Sequence, residues 1–226
     1  MKDVDIRKVL RDRLSASPTG GENFLLLEEL GLCCGSVRAD LVLVNGMLKA
    51  YEIKSDQDRL NRLVAQASIY NQVFDTVTLA VAERHLVAAK KLVPDWWGIQ
   101  VAAYGTNVLS VQLCSVREEH PNSCVDPYCL AQLLWRDEAI DILTKLLPST
   151  HFAHKSRPFL WRCLADCVPL NELKPLVRSI LRARKGWRVD GLQTPSDGTC
   201  QPFSKSSDSQ VRYPRSRNRR YSCRPN

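Results

Sequence analysis

Apolar and polar positions alternate along this chain with two different periods, and the switches between them mark out the elements. Residues 3–14 place Ile6, Val9, Leu10 and Leu14 at helical spacing with charges between, so the chain opens on a short amphipathic helix. Ser15-Ala16-Ser17-Pro18-Thr19-Gly20-Gly21 reads as a loop. Phe24 to Leu32 is ambiguous: Phe24-Leu25-Leu26-Leu27 suits a buried strand, whereas Glu28-Glu29-Leu30-Gly31 suits a helix end or a strand exit. Strands follow at about 38–44 and 48–55, then a helix over 57–72 with Leu60, Leu63, Val64, Ala67 and Tyr70/Asn71 inward and Ser55 or Asp56 as its cap. Asp75 to Val81 is β-branched enough for a strand, 84–92 for a helix ended by Pro94, and Trp96 to Tyr104 for a further strand. Residues 127–147, 158–167 and 170–184 are helical by period, with Pro148 and Pro169 as breaks.

Within this pattern one polar position stands out. Asp40 interrupts the otherwise apolar run Ala39-Asp40-Leu41-Val42-Leu43-Val44, and the next strand carries Glu52-Ile53-Lys54. Strand side chains alternate, so Glu52, Lys54 and Asp56 share one face. Facing carboxylates beside a lysine are equipment for holding a divalent ion and positioning a water, the requirement of phosphodiester hydrolysis. Parity tests the idea. A two-residue Asn45-Gly46 turn pairs Asp40 with Tyr51 and puts it on the wrong face. A three-residue loop, Val44-Asn45-Gly46 with Gly46 left-handed, pairs it with Ala50 and aligns it with Glu52.

Charge adds less than the total suggests. The formal net charge is +8, but from Ser204 onward seven basic residues face the single acid Asp208, which assigns +6 to the tail and leaves +2 for the rest. That tail, rich in Ser, Arg and Pro, reads as a disordered basic end over 188–226. No stretch is long and apolar enough for a membrane helix and Met1-Lys2-Asp3-Val4-Asp5 is no signal core, so the expectation is a cytoplasmic protein without membrane contact. The nine cysteines then read as thiols. Cys124, Cys129, Cys163 and Cys167 lack tight Cys-x-x-Cys spacing, which argues for buried free cysteine over zinc, and the four histidines form no catalytic pattern.

Asp40, Glu52-Ile53-Lys54 and the helix after them resemble the core of the PD-(D/E)xK nuclease superfamily, and Gln66 with Tyr70 resembles the Gln-x-x-x-Tyr helix of its RecB-like branch. The chain over about 3–188 looks like an uncharacterised bacterial family of that superfamily, through Glu28 to Gly31, Arg38 to Asp40, Glu52 to Asp56, Pro94 to Gly98, Leu134-Trp135 and Arg157 to Trp161. Ala39 stands where the superfamily often has proline.

The resemblance implies a restriction-endonuclease-like α/β fold: a mixed sheet flanked by helices over 1–115, a small helical C-terminal domain over 123–187, and the tail. It implies Asp40, Glu52 and the Ile53 carbonyl as ligands of Mg²⁺ (or Mn²⁺), with Lys54 positioning the attacking water. Glu28 or Glu29 would supply the additional acid, Gln66 and Tyr70 would act as accessory groups, and Arg38 would contact nucleic acid or pair with Glu28 or Glu29. The expected activity is cleavage of DNA in repair or in phage or mobile-element defence, with RNA left open. The alternative is an inactive nuclease fold serving as a nucleic-acid or protein interaction module. Oligomeric state is not indicated.

Overall fold

The computed structural model describes residues 1–16, 24–105 and 110–184; the expectation for 188–226 falls outside them. The elements run α1 (Asp3–Ala16), β1 (Leu25–Leu32), β2 (Val37–Val44), β3 (Leu48–Lys54), α2 (Leu63–Tyr70), β4 (Thr76–Ala82), α3 (Leu86–Leu92), β5 (Gly98–Tyr104), β6 (Val111–Arg117), α4 (Pro127–Ala131), α5 (Arg136–Leu146), α6 (Arg157–Cys167) and α7 (Leu170–Ala183). The strands form one six-stranded sheet in sequence order, parallel across β3–β4–β5 and antiparallel elsewhere. This is the expected α/β class, a mixed sheet with flanking helices.

Both sheet faces are covered, and the covering explains the composition of the strands. On one face α1 lays Ile6, Leu10 and Leu14 over Leu41, Leu43, Tyr51, Ile53 and Ala80. On the other, α2 and α3 pack Leu63, Ala67, Tyr70 and Ala89 against Val42, Ala50, Leu79 and Val81. Leu130, Leu143, Leu164 and Val177 of the C-terminal helices join that second cluster. Buried on both sides, β4 has every residue inside. At its far end Asp75 accepts from the Leu48 amide at 2.8 Å and pairs with Lys174 at 2.9 Å and Arg178 at 3.3 Å, fastening α7 to the start of the central strands.

Several local expectations are corrected. The ambiguous segment Phe24 to Leu32 is a strand from Leu25, because its apolar residues pair in register with β2. The hairpin loop does have three residues, but they are Asn45-Gly46-Met47: Val44 pairs with Leu48, which sets Asp40 level with Glu52 rather than Ala50. Gly46 is not left-handed, since the Asn45 side chain accepts from the amides of Gly46 and Met47 and closes the turn itself. The helix foreseen over 57–72 begins as a 3-10 turn at Leu60–Arg62 and is regular only over 63–70. Neither Ser55 nor Asp56 caps it. Asp58 instead reaches back to the Ser55 amide and hydroxyl, and Asp56, past the end of β3, pairs with the Met1 amino group at 2.9 Å rather than joining Glu52 and Lys54.

Val64, expected inward, is 54% exposed, because the short helix offers only Leu63, Ala67 and Tyr70 to the core. The helix foreseen over 127–147 is two, since the Glu138 carboxylate accepts from the Trp135 amide and starts α5 afresh. The strand foreseen from Trp96 begins at Gly98, and β6 was not foreseen because only Leu113 on it is buried. None of the seven described cysteines is in a disulfide, and none is fully buried, contrary to the expectation of thiols packed as small apolar groups. Among the described residues, no helix is long and apolar enough to cross a membrane.

Candidate active site

The pairing of β2 fails at Asp40 on both sides. Toward β1, Glu28 pairs with Leu41 and Leu30 with Ala39, but the rung between them, Glu29 with Asp40, is missing, and Glu29 takes a left-handed φ of 56°. Toward β3, pairing stops at Leu41 with Tyr51. Backbone groups released from a ladder inside a protein need other partners. Here they find side chains: the Asp40 carboxylate accepts from the Ile53 amide at 2.7 Å, and Arg7 of α1 donates to the Asp40 carbonyl at 2.9 Å.

Glu52 is 1% exposed and lies on the face covered by α2. A buried carboxylate is costly unless paired and hydrogen-bonded. Three groups meet it. Lys54, two residues along the strand and so on the same face, forms an ion pair with one carboxylate oxygen. Gln66 donates to that same oxygen at 2.6 Å. Tyr70 donates to the other and has the Arg38 carbonyl at 3.1 Å. Gln66 and Tyr70 lie one turn apart on α2, which brings both to Glu52. The Tyr70 ring stacks on Trp97 at 5.8 Å, and the Trp97 indole donates to Asn71 at 2.9 Å, so the helix end is held in place. Trp97 is wholly buried there.

Burial, and next the charge of Glu52, push the Asp40 carboxyl up to about 7, while the Ile53 amide, Arg7 and Lys54 pull the other way. The Tyr70 phenol is raised well above its ordinary value by burial and by Glu52, and stays a proton donor.

Of the other residues singled out in the sequence, Glu29 is drawn in: its carboxylate lies 3.0 Å from Arg7 and 3.4 Å from Arg38. Glu28 is left outside, 3.5 Å from Arg11 at the surface. Arg38 is 55% exposed and holds only Glu29 among the described acids. Cys129 donates to Gln72 at 3.0 Å and Cys124 sits at the surface, and among the described residues no three His, Cys, Asp or Glu side chains gather as a metal cluster.

Sequence reasoning missed Arg7. It pairs with Asp3 at 3.0 Å, and an acid four residues before an arginine is visible in the sequence. That local pair gives no hint that the guanidinium also reaches Asp40 and Glu29, which are brought to it only by the packing of α1.

Comparison with solved structures finds a protein of unknown function from Silicibacter pomeroyi, SPO1766, at 18% identity and a TM-score of 0.38, over 67% of this chain and 94% of that one. Among curated proteins, Protein cII of Enterobacteria phage P4 is 27% identical over 159 residues, 70% of this chain. The chain spans 59% of the length of that relative. Residues 5–192 match the family described as bacteriophage P4 protein cII, and the chain belongs to that family.

Proposed function

We propose that this protein is a metal-dependent nuclease that hydrolyses phosphodiester bonds of DNA with a PD-(D/E)xK arrangement. The observation that carries this reading is the convergence on Glu52 of Lys54 from its own strand and of Gln66 and Tyr70 from the following helix.

The donors suit a hard cation such as Mg²⁺ or Mn²⁺. A carboxylate offers about four acceptor positions. At Glu52 three are taken and at Asp40 two, so both keep room for a ligand bond. Gln66 Oε1 is buried without a hydrogen-bond partner, an acceptor left for a water or another donor. Asp40, Glu52 and the Ile53 carbonyl would hold the ion, which when bound supplies neutralisation of a phosphate and acidification of a water. Lys54 then orients the nucleophile. Gln66 and Tyr70 fix the Glu52 carboxylate, and Glu29 stands closer to this centre than Glu28. Arg38, largely exposed, is free to meet a phosphate. A cytoplasmic setting is part of the proposal, and the phage protein that names the family supports a mobile-element role over repair.

A second reading, a nuclease fold kept as an interaction module, is favoured by one observation: Arg7 and Lys54 already pair with Asp40 and Glu52.

Cleavage of single- and double-stranded DNA and of RNA with Mg²⁺ or Mn²⁺ separates the two readings, using wild type, Asp40→Ala and Lys54→Ala with folding checked by circular dichroism. Metal-dependent cutting lost in both folded variants supports the nuclease. No cutting by folded wild type supports the module, and cutting that survives both substitutions removes these residues from the reaction.

A further inference from the structure

Arg7 meets three carboxylates and has no role in the nuclease reading above. Each of its guanidinium nitrogens is engaged. Nε meets Asp3 at 3.0 Å, one terminal nitrogen meets the Asp40 carbonyl at 2.9 Å, and the other bridges the Asp40 and Glu29 carboxylates at 3.0 Å each. Its side chain is only 16% exposed. The rung missing between β1 and β2 and the left-handed backbone at Glu29 belong to the same arrangement, since they free the two carboxylates that Arg7 joins.

We infer that Arg7 is the internal counter-cation of this site: it bridges Asp40 and Glu29 and is displaced from the Asp40 carboxylate when a divalent ion takes it. The inference rests on Asp40 being a ligand. The geometry provides for the exchange. Asp3 and Glu29 are more open to solvent, at 42% and 36%, so Arg7 keeps two anionic partners after releasing the third. The cation therefore opposes ion binding twice, by occupying an oxygen and by like charge. Its removal exposes the site's intrinsic affinity. A merely structural Arg7 predicts the opposite, because its loss would scatter the acids it holds.

The test is Mn²⁺ binding to the full chain by calorimetry at one pH on the alkaline side of neutrality, comparing wild type, Arg7→Gln, Arg7→Lys and Asp40→Asn. A neighbouring like charge changes a site's preference for charge by about one to three powers of ten. Arg7→Gln should thus bind Mn²⁺ at least about tenfold more tightly, Arg7→Lys should fall between it and wild type, and Asp40→Asn should not bind. The same order should appear in the rise of melting temperature on adding Mn²⁺. Should Arg7→Gln fail to fold without the ion, Arg7→Lys carries the comparison, and equal or weaker binding by it overturns the inference. So does equal or weaker binding by a folded Arg7→Gln, even while loss in Asp40→Asn leaves Asp40 a ligand. Absence of Mn²⁺ binding in every form removes the metal reading itself and the inference with it.

Discussion

Tyr70 and Glu52 meet through a hydrogen bond that joins a helix to the centre of the sheet: the phenol donates to a carboxylate oxygen that water does not reach. Tyr70 is thus both a core ring, stacked on Trp97 and edge-on to Phe74 at 5.3 Å, and a polar group of the candidate site.

Replacing Tyr70 with Phe keeps the ring and removes the donor. A buried charged acceptor that loses a partner costs about 1–3 kcal/mol. Urea denaturation should show Tyr70→Phe less stable by that amount with an unchanged m-value. Stability equal to wild type would mean that Lys54 and Gln66 alone satisfy Glu52.

Gly98 opens β5 where no larger residue fits. A Cβ there would stand 2.9 Å from the Thr78 hydroxyl and 3.0 Å from the Glu119 amide nitrogen, the latter fixed backbone. Gly98→Ala should destabilise the protein by about 1–3 kcal/mol through overpacking. A melting curve superimposable on wild type would show that the segment around Glu119 yields freely.

Asp75 holds the other end of the central strands. It is 7% exposed and engages Lys174, Arg178 and the Leu48 amide. Asp75→Ala leaves two partly solvated cations and a buried amide without their acceptor, a loss of about 1–3 kcal/mol. Chemical denaturation measures that loss. The double substitution with Lys174→Met should recover part of it, whereas additive losses would show that the two side chains act independently.

The lone acid in the apolar run of β2 and the two-residue spacing along β3 made Asp40, Glu52 and Lys54 legible as candidates, and the resemblance to a Gln-x-x-x-Tyr helix pointed to Gln66 and Tyr70, which α2 brings to Glu52. These are local properties, carried by periods of two and of about 3.6. What stayed hidden depends on chain packing far from the residue concerned. Arg7 could be placed on a charged helix face, but not above a gap between strands. The gap itself arises from the left-handed backbone of a glutamate, which no propensity favours. The turn shows the same limit: three residues were expected for the hairpin loop, but the Asn45 side chain closing its own turn moved the register. β6 escaped for the reason edge strands often do, having little apolar alternation to read.

Asp40 should imprint a pH dependence on stability when divalent ions are kept away by chelation. Its carboxyl is raised from 3.8 to about 7, chiefly by burial and then by Glu52. The folded protein therefore keeps this proton over a range in which the unfolded chain has lost it. With more protons bound to the folded state, the stability contributed by Asp40 is greatest below about pH 4, declines as pH rises toward about 7 and is level above that. The slope for one group is at most about 1.4 kcal/mol per pH unit. Urea titrations across this window, with Asp40→Asn as reference, isolate the term, because the amide cannot titrate while Glu52, Arg7 and Lys54 remain. The stability of wild type relative to Asp40→Asn should fall through the window and then flatten. Adding Mn²⁺ on the alkaline side should restore wild type and leave Asp40→Asn unmoved, since an ion binds the deprotonated carboxylate. A wild-type-to-variant difference that stays constant across the window would mean that Arg7 and the Ile53 amide fully offset the burial, and that Asp40 is an ordinary carboxylate.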